Sequence, residues 1–205
     1  MAALRVVLDT NVLWPNYLRD TLLRLASYNL GLFEPLWSKR IIDDLGRTLQ
    51  EQRRIDPAGW ERLSASLAGF PEAEQEVPQE LIDRMTNDPG DRHVLATAVA
   101  SGADFLITWN LKDFAAEDCE PFGVEVMTPD AFLMALYREA SEDVLDTLAL
   151  QVAGYRRDPQ TFAGLLKVLL AAGAEEFAYT VAEEEDMDDL EERVREFRDG
   201  LFESV

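Results

Sequence analysis

Four aspartates stand far apart in the chain, each where an α/β fold would bring it toward the others. Asp9 follows the apolar run Val6-Val7-Leu8, and Asp44 lies in Ile41-Ile42-Asp43-Asp44-Leu45. Asp91 closes Asp88-Pro89-Gly90-Asp91, and Asp113 ends Thr108-Trp109-Asn110-Leu111-Lys112-Asp113. In a wound α/β domain, side chains at the C-terminal ends of parallel strands converge on one crevice. Acids gathered there without matching cations repel one another unless a hard cation joins them. That is the outline of a Mg²⁺ or Mn²⁺ site, and such sites commonly cut phosphodiesters.

Each acid also has a plainer reading. Asp9, before Thr10 and Asn11, is equally a metal ligand, a phosphoryl acceptor or the start of an Asx-turn. With Asp88 as N-cap, Asp91 falls at the third helical position and completes a capping box. Asp43 and Asp44 are neighbours on a helix, where one such acid is usually solvated, and Asp113 before Phe114 caps a short turn. Two other acidic-pocket classes fail here. A haloacid-dehalogenase-type phosphatase needs a second Asp where Asn11 stands, and a receiver domain needs an early acidic pair and a strand-end lysine, neither of which is evident. His93 is the only histidine, which excludes two-histidine ribonucleases and multi-histidine metal sites; it reads as a packed or surface residue. Lys39, Arg40, Arg47 and Arg92 are candidate phosphate contacts, while Trp14, Trp37 and Trp109 read as packing residues.

The elements that must position these groups alternate. Leu4–Leu8 reads as a buried parallel strand, Leu32–Leu36 as a short second one, Phe105–Thr108 as an inner strand and Val124–Val126 as the next. Between them, Leu18, Leu22, Leu25 and Ala26 repeat at helical spacing up to Gly31, and Ser38 N-caps a helix carrying Ile41, Ile42, Leu45 and Leu49. A helix opens at Pro57, residues 71–80 form a surface loop with a brief extended piece, and Asp88-Pro89 starts a helix that Gly102 ends. A helix over Asp130–Arg138 follows. The alternation is that of an α/β domain with a parallel sheet. From Glu142 onward the pattern is helical. One helix starts at Asp158-Pro159 and closes at Gly173, and the last places Met187, Leu190, Val194, Phe197 and Leu201 on a narrow apolar stripe. That stripe needs cover, from the chain's own body, a twin subunit or a partner protein.

Composition narrows the class. An apolar fraction of 47% supports a sizeable core, and the single cysteine, Cys119, excludes an internal disulfide and points to a reducing, cytoplasmic setting. No signal peptide is expected, since the first residues run straight into a strand, and no apolar run reaches membrane-span length. The net charge of −21, from 40 acids against 19 bases, argues against broad charge-driven nucleic-acid binding. Residues 175–205 hold 13 acids and three arginines (net −10), against 27 acids and 16 bases (net −11) in residues 1–174. A nuclease built on the first part must hold its substrate by local arginines and a metal.

Taken as an ordered set, Asp9-Thr10-Asn11-Val12-Leu13, Ser38 with Asp44 six residues on, Asp91-Arg92-His93-Val94-Leu95-Ala96 and Gly102-Ala103-Asp104 leading into Thr108–Phe114 resemble a PIN-domain ribonuclease. The nearest likeness is to VapC-type toxins of type II toxin–antitoxin systems, in the subgroup with a helical C-terminal extension. The resemblance covers residues 4–135, more loosely 140–175. It implies a PIN-like (Rossmann-like) three-layer α/β domain with a central, mostly parallel sheet over residues 1–138, followed by a helical region over 139–205 that ends in an acidic amphipathic helix. It implies a metal-dependent endoribonuclease that leaves 5′-phosphate and 3′-hydroxyl ends, dimeric, and silenced by an antitoxin. Asp9 and Asp91 become the principal Mg²⁺ or Mn²⁺ ligands. Asp44 takes a place where the family usually has Glu, so its shorter reach suits a water-mediated contact. Asp113 is the fourth acid, and Asn110 a polar partner. Thr10, Asn11, Ser38, Thr108 and Arg92 hold carboxylates or substrate in place. Two rivals accompany this reading: a metal-dependent DNA or flap nuclease, and a degenerate, non-catalytic PIN scaffold that binds protein.

Overall fold

The computed structural model describes residues 4–27 and 30–203; the expectation about a signal peptide rests partly on Met1–Ala3, outside the described residues. In chain order the first half runs β1 (Leu4–Leu8), α1 (Thr10–Leu13), α2 (Asn16–Leu25), β2 (Phe33–Ser38), α3 (Lys39–Glu51), α4 (Pro57–Leu67), β3 (Glu74–Gln75), α5 (Gln79–Ile82), α6 (Arg92–Ser101), β4 (Phe105–Ile107), α7 (Ala116–Cys119) and β5 (Glu125–Met127). Then come α8 (Pro129–Glu139), α9 (Ser141–Ala153), α10 (Phe162–Ala171), α11 (Glu175–Glu184) and α12 (Met187–Glu203). Among the described residues no helix is long and apolar enough to cross a membrane.

The chain divides into two compact units. The first takes the residues up to Trp14 and Phe33–Thr128; the second takes Pro15–Leu32 and the chain from Pro129. The expected division at 138/139 differs in two respects: the break falls ten residues earlier, and α2 belongs with the C-terminal helices. Local periodicity marks α2 as amphipathic, but only a partner surface decides where its apolar face goes. In the second unit that partner is α9, through a buried polar seam. Thr21 Oγ1 donates to Gln151 Oε1 (2.9 Å), Gln151 Nε2 donates to the Tyr155 hydroxyl (2.7 Å), and that hydroxyl donates to Asp20 Oδ2 (2.7 Å).

The first unit is built on a five-stranded sheet in the order β3-β2-β1-β4-β5, with every pair parallel. Val6, Val7 and Leu8 of β1 and Leu106 and Ile107 of β4 are fully buried, as continuous apolar strands covered on both faces should be. The order reverses direction between β1 and β4, so the crevice at their C-terminal ends is the topological switch point. Val12, Leu13, Ile41, Leu45, Val94 and Leu95 seal the helices onto the sheet. The loop expected over 71–80 contributes the short edge strand β3, with Glu74 and Gln75 opposite Trp37 and Ser38.

Two helix starts differ from the expected ones. Asp88 accepts a bond from Gly90 N (2.9 Å), a local turn that delays α6 until Arg92. Asp91 therefore stands at the N-cap with no side-chain capping bond, instead of completing a capping box inside the helix. Further on, Thr161 rather than Asp158 caps α10, its Oγ1 accepting from Gly164 N at 3.0 Å. Gly102 ends α6 as expected, at φ +61° where a side chain would be strained.

In the second unit, Leu18, Leu22, Phe132, Leu145, Phe162 and Phe177 form the core. The acidic stripe finds its cover there: Leu190 and Val194 are each 1% exposed, while Leu201 at the end is 44% exposed. Arg193 secures the same helix by reaching Glu142 (2.8 Å) and Asp146 (2.9 Å) on α9 and Asp189 (3.2 Å) on its own helix. Leu190→Ala is accordingly expected to cost about 2–5 kcal/mol in urea unfolding of the full chain, and Leu201→Ala well under 1. Equal effects would mean that the stripe is not packed within its own unit.

Candidate active site

The strand order lays the end of β1 beside the end of β4, and Asp9 and Thr108 meet there across 99 residues. Asp9 N donates to the Ile107 carbonyl (3.1 Å), so the chain leaves β1 still paired with β4. The Asp9 side chain is buried, at 3% exposure. Its Oδ2 accepts from Thr108 Oγ1 (2.7 Å) and from Asn11 Nδ2 (2.7 Å). Asn11 Nδ2 also reaches Thr108 Oγ1 (3.0 Å), while Asn11 Oδ1 accepts from Trp109 N (3.1 Å). Thr108 Oγ1 in turn accepts from Asn110 N (3.1 Å). Thr10 also lines the cleft above this point, and its hydroxyl donates to the Ile41 carbonyl at 3.3 Å. Burial raises the Asp9 carboxyl above the ordinary carboxylate range, against the opposing pull of Thr108, Asn11 and the Thr10 amide.

A cleft of about 380 Å³ opens over this point, with Asp9, Asp44, Asp91, Asn110, Arg47 and His93 in its wall. The three acids have unlike surroundings. Asp44, on α3, is engaged by Arg47 one turn on, stands 3.9 Å from the Arg40 guanidinium, and has His93 Nε2 3.5 Å from its Oδ2. Asp91 has no such cations. Desolvation, and then the charges of Asp9, Asp113 and Asp88, push its carboxyl up to about 6. His93 is buried at 6% exposure, and neither ring nitrogen makes a hydrogen bond. Burial, and then Arg40, hold its pKa below the ordinary range, so the ring is neutral at pH 7.

Asp113 is absent from the residues lining the cleft, where Asn110 stands, but its charge reaches Asp91. Asn87 ties the two stretches together by donating from Nδ2 to the Asp113 carbonyl (3.3 Å). Ser38 lies in a neighbouring cleft with Lys39, Arg40 and the other side of His93. Arg92 turns to the Asn87 carbonyl (Nε to O, 3.3 Å) and is not among the lining residues. Sequence reasoning missed Thr48, Gln52 and Gly90. The first two follow Asp44 at four and eight residues, Thr48 on α3 and Gln52 at its C-cap, a helical spacing that would have pointed to them.

As a donor set for a cation, the cleft offers a close-coupled pair, Asp9 and Asp91, with Asp44 already engaged by arginine. Among the described residues no three His, Cys, Asp or Glu side chains are grouped as a ready-made metal cage. The expected convergence of four acids is therefore looser than a full ligand shell. The pair fits Mg²⁺, which keeps several waters and is commonly held by one or two carboxylates together with substrate phosphate. It does not fit a structural zinc site, which needs four nitrogen or sulfur ligands.

A five-stranded parallel sheet with an acidic, oxygen-rich crevice at its switch point defines a wound α/β domain whose candidate site lies where such folds bind their ligands. The family model of the PIN domain matches residues 5–112, and the chain belongs to the PIN-domain family. The VapC50 C-terminal domain matches residues 129–183, beginning where the second compact unit resumes at Pro129. The two matches in tandem give the chain a VapC-type architecture with a C-terminal extension. Putative ribonuclease VapC50 of Mycobacterium tuberculosis (strain ATCC 25618 / H37Rv) is 41% identical over 69 residues, which is 32% of this chain and 41% of that protein's length. No solved structure gives a significant match.

The raised pKa of Asp91 has a definite consequence for the metal-free protein. A carboxyl whose folded pKa lies above its unfolded value favours the folded state at low pH. That advantage is lost as pH rises through the folded value, here about 6. In EDTA, the melting temperature of the wild type should fall relative to Asp91→Asn between pH 4 and pH 7.5, leaving the variant the more stable protein at neutral pH. A difference that is flat or opposite in slope would remove the charge coupling.

Proposed function

We propose that this chain is a Mg²⁺- or Mn²⁺-dependent endoribonuclease of the VapC toxin type, acting on RNA in the cytoplasm and silenced by a cognate antitoxin, with Asp9 and Asp91 as metal ligands. The observation that carries it is the buried Asp9 carboxylate, fixed by Thr108 and Asn11 beside an Asp91 held near pKa 6 by desolvation and then by neighbouring acids. Such a pair is costly to ionise and gains most from a divalent cation. The similarity to the M. tuberculosis putative ribonuclease VapC50 supports the same chemistry.

Asp9 and Asp91 would hold the cation, whose chemistry there would be to lower the pKa of a water and to offset charge on the phosphate. The protein's part is positioning. Thr108 and Asn11 engage one oxygen of Asp9 and fix the rotamer of its carboxylate. Asp44 holds Arg47 in the cleft wall, where a guanidinium can take a substrate phosphate oxygen. Asn110 offers a neutral amide in the cleft wall, and Asp113 acts on the site through its charge on Asp91. Homodimerisation accompanies this proposal and is read by the mass of the purified protein in solution.

A second reading rests on Asp44. Its pairing with arginine, and the lack of a three-ligand group among the described residues, would suit a PIN scaffold that binds without cutting. Total cellular RNA incubated with the purified protein separates the two. Discrete cuts with Mg²⁺ or Mn²⁺ are expected, abolished by EDTA, Asp9→Asn and Asp91→Asn, and slowed about 10- to 100-fold by Thr108→Val. Mg²⁺ should also raise the melting temperature of the wild type but not of Asp91→Asn. No cuts together with no metal response would favour the scaffold, and equal cutting of matched DNA would favour a general nuclease.

A further inference from the structure

From the structure we infer that Arg53, Arg54 and Arg62 form a docking site for the phosphodiester backbone of the RNA, next to the acidic cleft. It rests on the ribonuclease reading and answers its chief electrostatic difficulty. A chain of net charge −21 presents Asp9, Asp44 and Asp91 to a polyanion, so attraction must come from a local source.

That source is a second hollow, of about 500 Å³, formed where α3 ends and α4 begins and lined by all three arginines. The acid beside them, Asp56, is committed to capping α4, its Oδ1 accepting from Gly59 N at 2.7 Å. Elsewhere Arg24, Arg47, Arg138 and Arg193 are engaged by carboxylates. Among the described residues no carboxylate pairs with Arg53, Arg54 or Arg62.

The fold fixes where the three stand along the chain. Arg53 sits at φ +52°, the left-handed position after a helix where glycine is the usual residue, and α3 continues into it through Arg54 N to Leu49 O (2.9 Å). Arg54 lies over the Trp14 ring, 5.3 Å from its centroid. Arg62 arrives on α4, which approaches α3 so closely at Gly46 that a Cβ there would stand 2.7 Å from Trp60. The hollow adjoins the acidic cleft twice over: Gln52, the residue before Arg53, lines the cleft, and so does Trp14 beneath Arg54. A strand whose scissile phosphate sits by Asp9 and Asp91 would thus pass its next phosphates to guanidinium forks suited to them. These contacts read charge and not sequence. An acidic protein segment would meet the same arginines, but their continuity with the cleft favours a strand that runs through both.

The test uses the full chain and a fluorescein-labelled 12-nucleotide oligouridylate, with Ca²⁺ replacing Mg²⁺, and reads anisotropy from 20 to 200 mM salt. The combined variant Arg53→Gln/Arg54→Gln/Arg62→Gln should bind on the order of tenfold more weakly at low salt, with a log–log salt slope shallower by about 2. Its Mg²⁺-induced rise in melting temperature should stay as in the wild type. The variant Arg84→Gln/Arg156→Gln/Arg157→Gln, which removes equal charge elsewhere, should keep the wild-type slope. A wild-type slope in the first variant, or an equal loss in both, overturns the docking site. So does binding of a fluorescein-labelled polyglutamate peptide to the wild type, lost in the first variant, when oligouridylate itself does not bind. Cleavage of cellular RNA with Mg²⁺ by the wild type distinguishes the failures: cutting with an unchanged slope sinks only the docking site, whereas neither cutting nor binding sinks the ribonuclease reading with it.

Discussion

The buried carboxylate of Asp9 is the constraint around which the first unit is organised. An acid at 3% exposure is expensive to keep charged, and it persists only where hydrogen bonds meet it. Here they come from Asn11, two residues on, and from Thr108, 99 residues away. The second bond exists because β4 pairs with β1, so the parallel sheet and the site are one piece of construction. Asn11 extends the arrangement by accepting from Trp109 N, which fixes the loop that carries Asn110 into the cleft wall.

Around that fixed acid the others divide by environment. Asp44 has arginines and a buried, neutral histidine beside it, so its charge is met by the protein. Asp91 meets acids only and stays reluctant to ionise. A cation entering the cleft would therefore interact chiefly with Asp9 and Asp91, while Asp44 serves the cleft through Arg47. Asp91 also stands at the start of α6 with its carboxylate free of capping bonds and in the cleft wall.

The second unit handles charge differently. Its last helix is strongly acidic, yet it turns Leu190 and Val194 inward and uses Arg193 to gather carboxylates from α9. The apolar stripe therefore needs no outside partner over its first half. The polar seam of Thr21, Gln151, Tyr155 and Asp20 shows the same economy, with each buried group meeting another.

Much of this was legible in the residues. Apolar runs marked β1 and β4, Gly102 marked the end of α6, and the acids stood out because each lay at the end or start of an element. Local competition hid the rest. Asp88 could cap a helix or close a turn, and the turn won, which freed Asp91. The 3₁₀ turn Leu111–Asp113 left Asn110, and not Asp113, in the cleft wall. Thr48 and Gln52 became site residues only because of the face α3 turns to the crevice. The sequence by itself determined the element types, the residue chemistry and the places where strands hand over to helices, since these follow from periodicity and turn preferences over a few residues. Only the tertiary structure decided that Thr108 holds Asp9, that α2 leaves the sheet domain, and which acids remain without a cation. Those outcomes depend on strand order and on contacts a hundred residues apart, for which no local pattern carries the information.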